Sequence, residues 1–118
     1  RFYGRVAYDE VYGGFALAEE EGRRIAEALG DKPIVFLKNH GVIVTGPSVA
    51  EAFDELYYLE QACRQLVLAY STGRPLRLIS DNLAAQVAGD WTDYDGFAAA
   101  HFAELKALLD VEDASYAQ

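Results

Sequence analysis

One histidine in this chain stands where a small molecule or a metal ion could reach an imidazole. Asn39-His40-Gly41 lies between two apolar runs, Ile34 to Leu37 and Val42 to Thr45. Both runs are rich in β-branched residues and bounded by turn residues, so both read as strands. Gly41 is expected to supply backbone angles that a Cβ resists, so that the turn holds the His40 ring at a sheet end. A zinc site takes three or four donors from His, Cys and carboxylates. The chain has two His and one Cys, and no His-x-His pair. It therefore cannot build a three-histidine site alone. His101 falls in a predicted helix and reads as a surface or packing histidine. Cys63 lies on the apolar face of another predicted helix and reads as a buried, inert thiol.

Composition excludes several classes. The 118 residues suit one domain, and 52% apolar content is enough for a core. The formal net charge is −9, with no basic cluster beyond Arg23-Arg24. A nucleic-acid binder needs a basic face, and so does a protein held on an anionic membrane. Neither partner is expected. A lone cysteine allows no internal disulfide, no apolar run approaches the length of a membrane span, and the start has no signal-peptide pattern. A cytoplasmic setting fits these features. The chain has no Met and opens straight into strand-like sequence, so it is expected to be a piece of a longer protein.

The elements that must position His40 follow from periodicity and caps. Val6 to Tyr8 reads as a short strand, followed by a turn at Gly13-Gly14. Leu17 to Leu29 reads as a helix, with Ile25, Ala26 and Leu29 at helical spacing. Glu19, Glu20 and Glu21 near its start read as a solvated face that suits the helix dipole. After the two strands, Ser48 and Glu51 form a capping box. A long helix is expected from Val49 to about Ser71, with Phe53, Leu56, Leu59, Cys63, Leu66, Val67 and Tyr70 on one apolar stripe. Adjacent Tyr57 and Tyr58 must point in different directions. Ser80 is expected to cap a short helix, Asp81 to Ala88. A polar loop from Gly89 to Gly96 holds Trp91. A last helix runs from Phe97 to Leu109, and Asp110 to Gln118 reads as a frayed tail.

Leu37-Lys38-Asn39-His40-Gly41, Thr45-Gly46, Ser48 to Phe53 and Leu56-Tyr57-Tyr58-Leu59-Glu60-Gln61-Ala62-Cys63 together resemble the class II aldolase/adducin family. The resemblance runs over essentially the whole chain, 1–118, and corresponds to the C-terminal portion of one family domain. It implies an α/β fold, a three-layer α/β/α sandwich with a mixed sheet, present here as a partial domain. It implies a divalent metal, zinc, held by three histidines. His40 would be the third; the other two, as His-x-His, and a glutamate acid/base would lie in the family's N-terminal half. In such an enzyme the metal binds neighbouring oxygens of a small hydroxy-carbonyl substrate and stabilises the enediolate formed as a carbon–carbon bond breaks. The expected function is an aldolase-like lyase acting on a sugar phosphate or hydroxy acid, as a homo-oligomer, tetrameric by the same resemblance. No residue of this chain is expected to be catalytic, and these residues alone are expected to be inactive. Adducin-type relatives suggest a non-catalytic assembly module instead. Decarboxylases, epimerases, dehydratases and oxygenases also share the fold, and fold alone does not choose between reactions.

Overall fold

The computed structural model describes residues 1–13, 19–94 and 96–117. Three strands and four helices follow in the order β1 (Val6–Asp9), α1 (Glu19–Leu29), β2 (Ile34–Leu37), β3 (Gly41–Val44), α2 (Val49–Ser71), α3 (Asp81–Thr92) and α4 (Phe97–Glu112), then a 3₁₀ turn, Ala114–Ala117. The turn expected at Gly13-Gly14 and the first residues of the helix expected from Leu17 lie partly outside the described residues.

The sheet order is β1-β2-β3. β1 pairs parallel with β2, placing Asp9 beside Leu37. β2 pairs antiparallel with β3, placing Leu37 beside Gly41. The sheet is therefore mixed, and the architecture is the α/β class expected from the sequence. β2 is its middle strand, and Ile34 and Val35 are fully buried. A central strand covered on both faces reads as a continuous apolar run, as Ile34 to Leu37 does. Helix α1 packs against β1 and β2, α2 against β3, and α4 against α2.

The β2–β3 turn differs from expectation in one instructive way. Asn39, not Gly41, carries the unusual backbone, with φ of 56°. The His40 N–H donates to the Leu37 carbonyl at 3.1 Å. A four-residue turn with positive φ at its third position calls for Gly or Asn there, and Asn39 meets that need. Gly41 is simply the first residue of β3, and a Cβ built on it meets nothing within 4 Å. The strand also starts at Gly41 and ends at Val44, one residue earlier than the apolar run suggests. Thr45 has left the ladder and donates twice to the Pro33 carbonyl, from N at 2.8 Å and from Oγ1 at 3.1 Å.

The constrained glycine is Gly46. A Cβ there would lie 2.9 Å from the Ala52 nitrogen and 3.3 Å from the Ala52 Cα. β3 therefore runs into α2 with backbone against backbone. Ser48 caps α2, accepting the Glu51 N–H at 3.3 Å, so half of the expected capping box is realised. The first half of α2 is partly packed, with Asp54 and Leu59 buried and Phe53 and Leu56 of the expected stripe 37% and 44% exposed. The second half is not: Leu66, Val67 and Tyr70 are 51%, 68% and 65% exposed, and Cys63 is only half-buried.

Two C-terminal elements run longer than their local signals suggest. α3 continues through Gly89 to Thr92, because Trp91 is held edge-on by Phe97, with ring centres 6.0 Å apart. Thr92 Oγ1 also donates to the Ala88 carbonyl at 3.1 Å. α4 reaches Glu112. The tail folds back as Tyr116 donates to Asp110, which also pairs with Lys106 at 3.1 Å.

The two glycines should respond oppositely to a methyl group. Gly46→Ala is expected to cost about 1–3 kcal/mol, as overpacking against a backbone does. Gly41→Ala should stay within about 1 kcal/mol of the parent. Urea unfolding of both variants in full-length protein checks this, and equal losses would remove the close-approach argument.

Candidate functional site

His40 sits at the end of the sheet where β2 turns into β3, and its side chain is exposed. The neighbouring loop after β1 supplies Tyr12, whose ring meets the imidazole edge-on at 6.3 Å. Register explains the meeting. Asp9 ends β1 beside Leu37, and its carbonyl accepts the Lys38 N–H at 3.0 Å. The residues after Asp9 and the residues after Lys38 therefore emerge side by side.

A charged clamp underlies this end of the sheet. Arg24, from α1, donates Nε to Glu21 Oε2 at 2.8 Å and Nη2 to Glu21 Oε1 at 2.6 Å. Its Nη1 donates to Asp9 Oδ1 at 2.6 Å. Asp9 Oδ1 also accepts the Val11 N–H at 3.0 Å, which bends the chain after β1. A Cβ on Gly13 would lie 2.7 Å from both Glu21 oxygens, so the loop passes close over the clamp. Charge-assisted, bidentate bonds of this kind are the strong ones. The Arg24 bonds hold the Asp9 and Glu21 carboxyls below their ordinary range, helped at Asp9 by the Val11 N–H. The two carboxylates in turn push the Arg24 guanidinium upward. Glu21 is thus no part of a solvated acidic face. It lies one helical turn before Arg24, and that spacing was the signal available in the sequence.

A second polar cluster lies at the other end of the sheet, beside an open cleft of about 870 Å³ lined by Arg1, Pro33, Thr45, Ser48, Glu55 and Trp91. Asp54, from α2, is 2% exposed. Arg1 donates to its Oδ2, and His101 Nδ1, from α4, lies 2.7 Å from its Oδ1. Arg1 also lies over the Tyr58 ring at 4.7 Å, and Tyr57 meets the His101 ring edge-on at 4.9 Å. Tyr57 and Tyr58 do not point apart as expected: their rings meet edge-on with centres 5.2 Å apart, and both bear on the same histidine. His101 is therefore a packing histidine with one specific partner. The structure does not bring it to His40, which belongs to the opposite end of the strands.

The metal implied for His40 can be tested against the donors present. Among the described residues no group of three His, Cys, Asp or Glu side chains is placed to hold a metal ion. His40 offers one exposed imidazole, so a metal held there would need further donors. No helix among the described residues is long and apolar enough to cross a membrane.

Comparison with known proteins agrees with the fold. A family described as Class II Aldolase and Adducin N-terminal domain matches residues 1–67. A Caulobacter vibrioides protein named for aldolase class 2 is 40% identical over 80 residues, 68% of this chain and 31% of its own length. Decarboxylase NovR of Streptomyces niveus is 30% identical over 96% of this chain and 44% of its own length. Alpha-adducin of Rattus norvegicus is 40% identical over 64% of this chain and 10% of its length. The crystal structure of an aldolase II superfamily protein from Pseudomonas syringae superposes with a TM-score of 0.87 at 34% identity, covering 99% of this chain and 47% of that one. The chain spans less than half the length of each of these relatives.

Two outcomes are expected from the clusters. Asp9 and Glu21 have lowered folded-state pKa values. Their stabilisation is therefore complete above the unfolded carboxylate range, about pH 4, and is lost as pH falls through the lowered values. Arg24→Met should lower stability at pH 7 and flatten the acid limb, read from thermal unfolding between pH 7 and 2. At the other cluster, Asp54→Ala should cost about 3 kcal/mol, because it leaves the Arg1 charge half-buried without its partner. A urea midpoint close to the parent's would refute that role for Asp54.

Proposed function

The chain belongs to the class II aldolase and adducin family, and on that premise we propose that it is the part of a metal-dependent, aldolase-like lyase that carries His40. The reading makes residues 1–118 the C-terminal portion of one such domain. The substrate class is a small hydroxy-carbonyl compound, a sugar phosphate or a hydroxy acid, split at a carbon–carbon bond. His40 contributes one metal ligand. The observation that carries the reading is the His40 ring itself, exposed on a hairpin turn at the sheet end.

The chemistry suits those residues. A neutral imidazole binds a divalent ion through one ring nitrogen. When bound, the ion, zinc in this reading, supplies Lewis acidity toward substrate oxygens. The chain's own contribution is placement. Asn39 sets the turn, Gly41 returns the chain into the ladder, and the Arg24 clamp braces the loop carrying Tyr12. The missing ligands and the acid/base carboxylate belong outside these residues. A homo-oligomer, tetrameric, in the cytoplasm completes the proposal. The exposed Leu66, Val67 and Tyr70 stripe of α2 supports a covered interface there.

The relatives' names support a second reading. Two relatives are named alpha-adducin, and others a decarboxylase and an oxygenase. In the adducin-like alternative the fold serves assembly, and the Asn39-His40-Gly41 turn is purely structural.

Metal content separates the two. Full-length protein is expected to bind about one zinc ion per chain at neutral pH. His40→Ala should abolish that binding while the circular dichroism spectrum and unfolding midpoint stay near the parent's. Full-length protein that takes up no divalent metal would favour the assembly reading. A variant that unfolds would make the turn structural.

A further inference from the structure

We draw no further inference here: the strongest candidate, the open cleft at the far end of the sheet lined by Arg1, Thr45, Ser48, Glu55 and Trp91, carries nothing, because its most deeply buried side chain, Asp54, already has both oxygens taken by Arg1 and His101 and nothing in the structure shows what would fill it.

Discussion

Pairing on both edges of β2 is the constraint from which the rest of the structure follows. Ile34 and Val35 are fully enclosed, and a one-residue slip would turn their neighbours to the wrong face. The parallel register with β1 sets Asp9 beside Leu37. The antiparallel register with β3 sets Leu37 beside Gly41. Three residues separate those last two partners, and His40 is the third. Its position is therefore a consequence of strand register and turn length. The charged clamp acts afterwards, on a framework that apolar burial has already aligned.

The same framework explains what the chain leaves uncovered. A compact protein of 13.0 kDa exposes about 6,300 Å², whereas this chain exposes 9,013 Å². Its radius of gyration is 17.0 Å, against about 13.5 Å for a compact domain of this length. Only four hydrophobic residues are enclosed among those described: Ile34, Val35, Leu59 and Ala88. The exposed surface includes large apolar side chains such as Leu66, Val67 and Tyr70, and the chain covers 47% of the Pseudomonas syringae structure. Enclosure is densest where β2, β3 and the first half of α2 meet.

Local signals were legible wherever they were also decisive. Ser48 and the apolar period gave α2 its limits, Val49 to Ser71, because a cap and a following Gly73 act within a few residues. The continuous run Ile34 to Leu37 gave β2 for the same reason. The mixed-sheet α/β class followed from the family resemblance. What was not legible depends on partners distant in the chain. Trp91 extends α3 because Phe97 packs on it, and Glu21 leaves the solvent because Arg24 is shared with Asp9. Asp54 and His101 meet 47 residues apart, and nothing at either position announces the other. The turn shows a subtler limit: its sequence contains two residues that favour positive φ, and only the folded hairpin shows that Asn39 takes it.

The Arg24 clamp also divides the ion pairs of this chain into two kinds of environment. Glu19 and Arg23 pair at 3.0 Å with side chains 91% and 62% exposed, so mobile ions can compete freely for both. Arg24 grips Asp9 and Glu21 with side chains 29%, 4% and 17% exposed, where counterions gain little access. Rising ionic strength therefore loosens the outer face of α1 while its inner face keeps hold of β1. The end of the sheet that presents His40 is insulated from the salt content of its surroundings by one guanidinium turned inward.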